Sequence, residues 1–410
     1  MSNFKQNLEK YAELAVKVGV NVQPGQTLVV NTTLDGAEFV RLVAKKAYEV
    51  GAKNVVVNWN DDELNRIKYD MAPDEVFTEY PEHRAKELIQ LAKEGAAFMS
   101  IVSSSPDLLK GVKTERIANF QKAAGTALKE YRQMAQSDKV SWTVIAVPSQ
   151  GWADMVFPNE PKEERVSKLW DAIFAATRTT EDNPVEAWEK HDQKLHEKVD
   201  YLNEKKYTKL HYKAPGTDIT VELPKGHLWV GAGSINEKGH EFMANMPTEE
   251  VFTVPLKTGV NGTVSSTKPL SYGGNIIDKF SITFENGRIV SFQAEEGEEV
   301  LKKLIETDEG SHYLGEIALV PHQSPISESN ILFFNTLFDE NASNHFAIGS
   351  AYAFCLEGGK KMTQEQLEEN GLNESLTHVD FMIGSAEMDI DGVTEDGKSE
   401  AIFRNGNWAF

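Results

Sequence analysis

The chain has 410 residues, which exceeds the length at which a single hydrophobic core stops growing, so two domains are expected. Its formal charge of -21 argues against a nucleic-acid partner, because phosphate binding depends on clustered lysine and arginine. Cys355 is the only cysteine, so no intrachain disulfide can form and a reducing compartment is favoured. No secretion signal is evident and no apolar run approaches the ~20 residues of a membrane span, so we expect a cytoplasmic protein without a membrane partner.

The first half of the chain alternates short apolar runs with amphipathic patterns of helical spacing. Strands are predicted at residues 27–30, 54–59, 97–102 and 140–147, each followed by polar turn residues and a helical pattern. This alternation predicts an α/β domain over residues 1–206, built on a parallel sheet covered by helices. The polar turns fit ligand binding at the carboxyl ends of the strands, and they fit helix caps equally well.

The second half of the chain has a different pattern of apolar and polar residues. Asn183 and Pro184 predict the start of a long charged helix that ends near Lys206. From residue 207 onward, short β-rich runs follow one another and are separated by turn signals. This pattern predicts a β-rich, barrel-like C-terminal domain over residues 207–410, so the fold class is α/β and α+β.

Residue types that bind divalent metals concentrate in the last third of the chain. They occur in three short segments: Glu316 in GEIALV, Glu340 and His345 in DENASNHF, and His378 and Asp380 in THVDFM. Strand side chains alternate with a period of two, so His378 and Asp380 are expected on the same face. Glu316 lies among apolar residues, where a charged carboxylate is costly to bury, and a metal ion is a common compensation.

A fourth segment, NMPTEEVFTVPL, adds Glu249 and Glu250 directly before a predicted strand. Adjacent strand residues face opposite ways, so one of the pair is expected to enter a shared site. Each segment is a weak signal by itself. Together they offer four carboxylates and two histidines, which is about what two ions need if one carboxylate bridges them.

Several other kinds of active site lack their sequence motifs. The chain has no GxGxxG after the first strand, no GxxxxGK[ST] loop and no GxSxG elbow. Dinucleotide, P-loop and α/β-hydrolase chemistry are therefore not supported, and no organic cofactor is predicted. Cys355, in the apolar run AYAFCLEGG, is interpreted as a buried small residue rather than a nucleophile.

The metal-ligand segments also carry a family resemblance. PTEEVFT, GEIALV, the ENASxH step followed by Tyr352, and HVDFMIGS resemble the signature segments of the aminopeptidase T family, which includes the AmpS and PepS aminopeptidases. The similarity extends over nearly the whole chain. It implies a dinuclear metallo-aminopeptidase, usually a homodimer, with an N-terminal α/β domain and a β-rich C-terminal domain that bears the metals.

The resemblance also implies roles for single residues. One ion would be held by Glu250, His378 and Asp380, the other by Glu340 and His345, with Glu316 as the bridge. Tyr352 matches the family's active-site tyrosine, and its phenol suits stabilisation of an oxyanion. Glu249 is interpreted either as a residue that orients a ligand or acts as a general base, or as a surface glutamate.

The predicted activity is the metal-dependent removal of N-terminal amino acids from peptides. Two divalent ions, chosen among Zn, Co, Mn and Mg, would activate a water as hydroxide and polarise the scissile carbonyl. Two alternatives remain open at this point. A phosphoesterase-type dinuclear hydrolase uses the same ligand types, and a non-enzymatic binding protein would use the polar turns of the first half to hold a small ligand.

Overall fold

The structure is a computed structural model, and it describes residues 2–273 and 275–410. The chain forms two compact units. The first runs up to Lys190 and also includes Gly233–Pro247, and the second comprises His191–Ala232 and Thr248–Phe410. A domain boundary between residues 206 and 207 stays a prediction.

The first unit is built on a parallel sheet with the strand order β2-β1-β3-β4. Its strands are β1 (Thr27–Thr33), β2 (Asn54–Asn60), β3 (Ala97–Val102) and β4 (Trp142–Ala146). The α-helices between residues 2 and 205 are α1 (Ser2–Leu14), α2 (Ala37–Glu49), α3 (Asp62–Met71), α4 (Glu82–Lys93), α5 (Thr114–Ala127), α6 (Lys129–Gln136), α7 (Gln150–Val156), α8 (Lys162–Ala176) and α9 (Pro184–Lys205). The residues of α9 from His191 onward belong to the second unit. The predicted parallel α/β half is therefore confirmed.

The interior strand β1 explains why this sheet needs helices around it. Three consecutive residues, Leu28, Val29 and Val30, are fully buried although their side chains point to alternate faces. A strand with both faces covered has a continuous apolar run, which is the sequence signature of a parallel sheet. The predicted start of α9 is confirmed as well, since the Glu186 N–H donates to Asn183 Oδ1 at 3.4 Å.

The strands after α9 are short and mainly antiparallel. They are β5 (Lys209–Ala214), β6 (Thr217–Glu222), β7 (Val230–Gly231), β8 (Ser234–Ile235), β9 (Glu241–Phe242), β10 (Val251–Thr253), β11 (Val260–Ser265), β12 (Leu270–Tyr272), β13 (Asn275–Glu285), β14 (Arg288–Glu296), β15 (Leu314–Leu319), β16 (His345–Gly349), β17 (His378–Met382), β18 (Asp389–Val393), β19 (Ser399–Arg404) and β20 (Asn407–Trp408). The helices between them are α10 (Glu298–Ile305), α11 (Pro325–Glu328), α12 (Thr336–Asp339) and α13 (Gln364–Glu369).

Two sheets organise the second unit. A five-stranded sheet has the order β17-β16-β15-β10-β7, and a larger one follows the order β12-β13-β11-β6-β5-β18-β19-β20, with β14 paired to β13. Their buried side chains share one apolar core, in which Phe346 and Phe381 of the smaller sheet meet Tyr212 and Phe280 of the larger one. The β-rich second half is thus confirmed. Within the described residues, no helix has both the length and the apolarity needed to cross a membrane.

Candidate metal centre

The five-stranded sheet aligns the predicted ligands through its register. Glu316 on β15 lies opposite Ala347 on β16, and Ala347 lies opposite Asp380 on β17. Residues directly opposite each other in an antiparallel pair point to the same face. His378 lies two residues before Asp380 and His345 two residues before Ala347, so the period of two adds both histidines to this face.

Strand β10 extends the same face on the other side of β15. Phe252 pairs with Ala318, and Ala318 pairs with His345. Glu250 precedes Phe252 by two residues, and its Oε2 lies 3.1 Å from His345 Nε2. Of the two adjacent glutamates, Glu250 is therefore the one that reaches this group of residues.

Small residues separate the ligand positions on this face. Ala318, Ala347 and Gly349 occupy the sites between the carboxylates and the histidines, which leaves room above the sheet. Gly349 has φ 116°, and a Cβ there would lie 2.1 Å from Thr377 O, so only glycine fits. This close approach brings Ser350 next to His378.

The carboxylates and the histidine nitrogens converge in two groups that share Glu316. Its Oε1 lies 3.6 Å from His345 Nε2, and its Oε2 lies 3.3 Å from His378 Nε2. His378 Nε2 also lies 3.4 Å from Asp380 Oδ1. One group is Glu250, Glu316 and His345, the other is Glu316, His378 and Asp380, and within each the potential ligand atoms lie within 4.8 Å of one another.

Both histidines are oriented by backbone carbonyls. His345 Nδ1 lies 3.1 Å from Ser343 O, and His378 Nδ1 lies 2.7 Å from Ser350 O. A carbonyl oxygen only accepts, so each Nδ1 carries a hydrogen and each Nε2 faces the carboxylates. This is the tautomer and orientation that a histidine ligand to a metal adopts.

The chemistry of the donor set fits a divalent cation. Glu250, Glu316 and His345 are each less than a tenth exposed, so their charges are poorly solvated. Among the described residues, the buried Asp380 Oδ1 is one of the polar atoms without a hydrogen-bonding partner of proper geometry. Buried carboxylates this close repel one another unless protons or a cation compensate them.

Titration of these groups reflects this crowding. Burial lowers the pKa of His345, but its contacts with Glu250 and Glu316 outweigh burial and hold that pKa well above its usual value. His378 behaves alike: burial opposes its charge, and the neighbouring Asp380 and Glu316 raise its pKa well above the ordinary range. Burial raises the pKa of Glu250, and the hydrogen bond from His345 only partly offsets this. In the absence of metal, protons take the place of cations here.

Glu340 lies beside these groups rather than within them. It is half-buried at the start of a 3₁₀ turn, Glu340–Ala342, that follows α12. Burial is the main cause that raises the pKa of Glu340 well above its usual value, and the negative charges of Glu250 and Asp380 raise this pKa further. These three carboxylates are therefore close in space. The geometry also places Glu250 with His345, whereas the family resemblance implied a place for it with His378 and Asp380.

Tyr352 lies against one of the histidines. Its ring centroid is 4.7 Å from that of His378, and the two rings are tilted by 43°. Removal from water, and then the charges of Glu316 and Asp380, raise the pKa of the phenol well above 10, so Tyr352 keeps its proton. It is therefore available as a hydrogen-bond donor next to the carboxylates.

Of the alternative interpretations of Glu249, the surface glutamate is wrong, because the residue is only 4% exposed. Its N–H donates to Asn341 Oδ1 at 2.7 Å, and its Oε2 lies 3.5 Å from His191 Nε2. Asn341 thus ties the segment before β10 to the turn that carries Glu340. Sequence reasoning missed Asn341, as well as the carbonyls that orient the two histidines, because neither an asparagine nor a backbone oxygen carries a recognisable pattern.

The fold and this donor set fit a class of protein, a metal-dependent enzyme whose candidate ligands are carboxylates and imidazoles on one face of a sheet. The family model described as thermophilic metalloprotease (M29) matches residues 4–408. The chain belongs to this M29 peptidase family, whose members depend on divalent metal.

Named relatives narrow the class further. The chain is 68% identical to aminopeptidase AmpS of Bacillus subtilis over 410 residues, with all of both chains covered. It is 50% identical to aminopeptidase PepS of Streptococcus thermophilus, covering 100% of this chain and 99% of that one. The solved structure of wild-type AmpT from Thermus thermophilus superposes with a TM-score of 0.94 at 44% identity, covering 99% of this chain and 100% of that one. The predicted activity is thereby confirmed: the chain is a hydrolase, a metallo-aminopeptidase.

Proposed function

We propose that the chain removes N-terminal residues from peptides at a site that holds two divalent ions, with Glu316 as the shared ligand. The observation that carries this proposal is the position of the Glu316 carboxylate, whose two oxygens face two different histidines. A carboxylate between two ligand groups is the arrangement that a cocatalytic metal pair requires. Two dications would also balance the four carboxylates of the site.

The geometry suggests how the ligands divide. Glu250 and His345 would hold one ion, with Glu340 completing its shell, and His378 and Asp380 would hold the other. Carboxylate and imidazole donors accept Zn, Co, Mn and Mg, and metal availability decides among them as much as affinity does. Binding displaces the protons that the two histidines hold in the metal-free site.

When bound, divalent ions supply Lewis-acid polarisation of the scissile carbonyl and lower the pKa of a water. The chain's own residues supply orientation and a proton donor. Ser343 and Ser350 fix the imidazole planes through their carbonyls, so the ligand nitrogens do not have to reorient. Tyr352, which keeps its proton, donates a hydrogen bond to the carbonyl oxygen of the substrate as negative charge develops there.

The alternative functions receive less support. A phosphoesterase would use the same ligand types, but the named relatives are aminopeptidases. A binding module at the edge of the parallel sheet would need polar side chains that project into a cleft. Asp61 and Ser149 instead accept hydrogen bonds from the helix N–H groups of Leu64 and Trp152, as helix caps do.

The proposal is tested with single-ligand variants. His378→Ala and Asp380→Ala should each abolish hydrolysis of a leucyl p-nitroanilide and lower the metal content while the circular dichroism spectrum stays native. The fold should survive because each unit has a large apolar core of its own. His83→Ala, at an exposed histidine of the first unit, is the matched control and should retain both activity and metal. Full activity of either ligand variant would remove that residue from the site.

We further propose that the enzyme is a cytoplasmic homodimer. The family resemblance supports the dimer, and the single cysteine, which is buried and free, supports a reducing compartment. Light scattering coupled to size-exclusion chromatography tests the first statement, since a mass near 46 kDa would contradict it and a doubled mass would support it. Fractionation of cells that express the protein tests the second.

A further inference from the structure

Three aromatic rings meet beside the proposed metal centre. Phe354 stacks on Tyr352 with 5.0 Å between ring centroids and an interplanar angle of 17°. Phe252 approaches both rings edge-on, at 6.0 Å from Tyr352 and 6.1 Å from Phe354. We call Phe252, Tyr352 and Phe354 the aromatic wall.

Two independent observations place the aromatic wall next to the candidate metal ligands. Phe252 lies two residues after Glu250 and opposite Ala318 on β15, so it stands on the same face of the sheet as the ligand-bearing positions. Tyr352 touches His378 directly, with 4.7 Å between their ring centroids. The aromatic wall therefore directly adjoins the two ligand groups.

The packing behind the wall differs from the packing in front of it. Val254, Cys355, Leu356 and Leu372 form a buried cluster, and the three rings pack against that cluster. Each of the rings is itself only half-buried. These rings pack on a buried cluster and keep part of their aromatic surface accessible. Such an arrangement is typical of the wall of a binding pocket rather than of a closed hydrophobic core.

The chemistry of the proposed reaction identifies what meets this surface. In a peptide with a free N-terminus, the first side chain is attached to the Cα that is bonded to the scissile carbonyl carbon. When that carbonyl is held at the ligand groups, the first side chain has to lie within a few bonds of them. Tyr352 would contact the carbonyl oxygen, so the rings adjoining Tyr352 offer apolar surface next to the position of the first side chain.

We propose that Phe252 and Phe354 determine specificity: they line the pocket for the side chain of the substrate's N-terminal residue and favour large apolar side chains over small ones. This inference rests on the proposed function. Aromatic faces gain from contact with aliphatic and aromatic groups, and they give little to a methyl group that does not reach them. The selection is therefore expected in kcat/KM ratios between substrates.

The experiment compares alanyl, leucyl and phenylalanyl p-nitroanilides on the metal-loaded full-length enzyme. The wild type should prefer the leucyl and phenylalanyl substrates over the alanyl one. Phe354→Ala should lower the leucyl-to-alanyl ratio of kcat/KM by about tenfold, the usual size of the effect when contact with a hydrophobic pocket is lost. Phe292→Ala, which removes a half-buried ring packed on the core of the same unit, is the matched control and should leave the ratio unchanged.

The outcomes separate the two proposals. An equal fall in kcat/KM for all substrates would assign Phe354 a purely structural role and overturn the inference, as would an unchanged ratio. Phe252→Leu provides a second test, because it keeps β10 apolar while it reshapes the wall, and its ratio should also shift. If the metal-loaded wild type hydrolysed none of the three substrates, the proposed function itself would fail.

Discussion

Two regions of the molecule bring polar side chains together, one at the carboxyl edge of the parallel sheet and one on the face of the five-stranded sheet, and the hydrogen bonding in the two regions differs. At the carboxyl edge of the parallel sheet, the polar groups satisfy one another. Thr33 Oγ1 lies 2.6 Å from Ser103 Oγ, and Ser104 donates to Asp62 Oδ1 at 2.9 Å. On the face of the five-stranded sheet, the carboxylates instead point toward one another and toward the Nε2 atoms of His345 and His378. The polar groups named in the first region have hydrogen-bonding partners, whereas the carboxylates of the second region require protons or cations to balance their charge.

The difference shows that residue type alone does not identify a site. Both regions contain clustered acidic residues, and in both the pKa of an acidic residue is raised first by burial: Asp62 at the parallel sheet and Glu250 at the antiparallel one. What separates them is the direction of hydrogen bonding. Backbone carbonyls turn the two histidines toward the carboxylates, whereas the hydroxyl of Ser104 donates a hydrogen bond to Asp62 and partly satisfies it.

The largest expected effect comes from Glu316→Gln, because this change removes the one carboxylate that both ligand groups share. A neutral amide cannot offset the repulsion between two dications, so the fall in kcat/KM should be at least ~10³, equivalent to about 4 kcal/mol. Metal content by mass spectrometry should fall in parallel.

The matched control for Glu316→Gln is Asp62→Asn, the same carboxylate-to-amide change in the other region. It should leave turnover and metal content within about twofold of the wild type, because Asp62 belongs to neither of the two ligand groups. Two tightly bound ions per chain in Glu316→Gln would show that Glu316 does not bridge.

Tyr352→Phe should separate catalysis from metal binding, because it removes the phenol and keeps the ring that packs on Phe354 and His378. Loss of one donor to an oxyanion costs roughly 10² to 10³ in kcat. The ratio of metal to protein should stay at the wild-type value. Unchanged turnover would leave Tyr352 a packing residue, and lost metal would make it a ligand.

Sequence patterns predicted the fold class, and they singled out residues that the structure brings together, for identifiable reasons. Periodicity is a local property, so a buried run such as 28–30 and the HxD step at His378 can be interpreted without a structure. The register between strands is not local. It decides that Glu250 groups with His345 and that Ala347 separates Glu316 from Asp380. The orienting carbonyls of Ser343 and Ser350 are likewise invisible in a sequence, because every residue has one.

Metal binding should release protons from the candidate metal site, and this release would distinguish that site from the polar groups at the edge of the parallel sheet. His345 and His378 have raised pKa values, so in the metal-free enzyme each carries an extra proton below its raised pKa, and an ion must displace it. Apparent affinity should therefore fall as pH is lowered through the raised pKa values, by up to about tenfold per pH unit for each proton displaced. Calorimetric titration in two buffers of different ionisation enthalpy measures the number released. Metal binding without proton release would contradict the assignment of both histidines.

The smallest effect is expected at the parallel sheet, from Asp61→Ala. Asp61 Oδ1 accepts a hydrogen bond from the Leu64 N–H at 3.1 Å and caps α3, so its loss should destabilise the protein by about 1 kcal/mol while activity and metal content stay unchanged. Removing the charge also relieves repulsion of Asp62, which works in the opposite direction. Asp61→Asn removes the same charge and keeps a capping oxygen, so the difference in free energy of unfolding between the two variants isolates the cap. Urea denaturation measures that difference, and a loss of metal in either variant would mean that this edge of the sheet does more than terminate a helix.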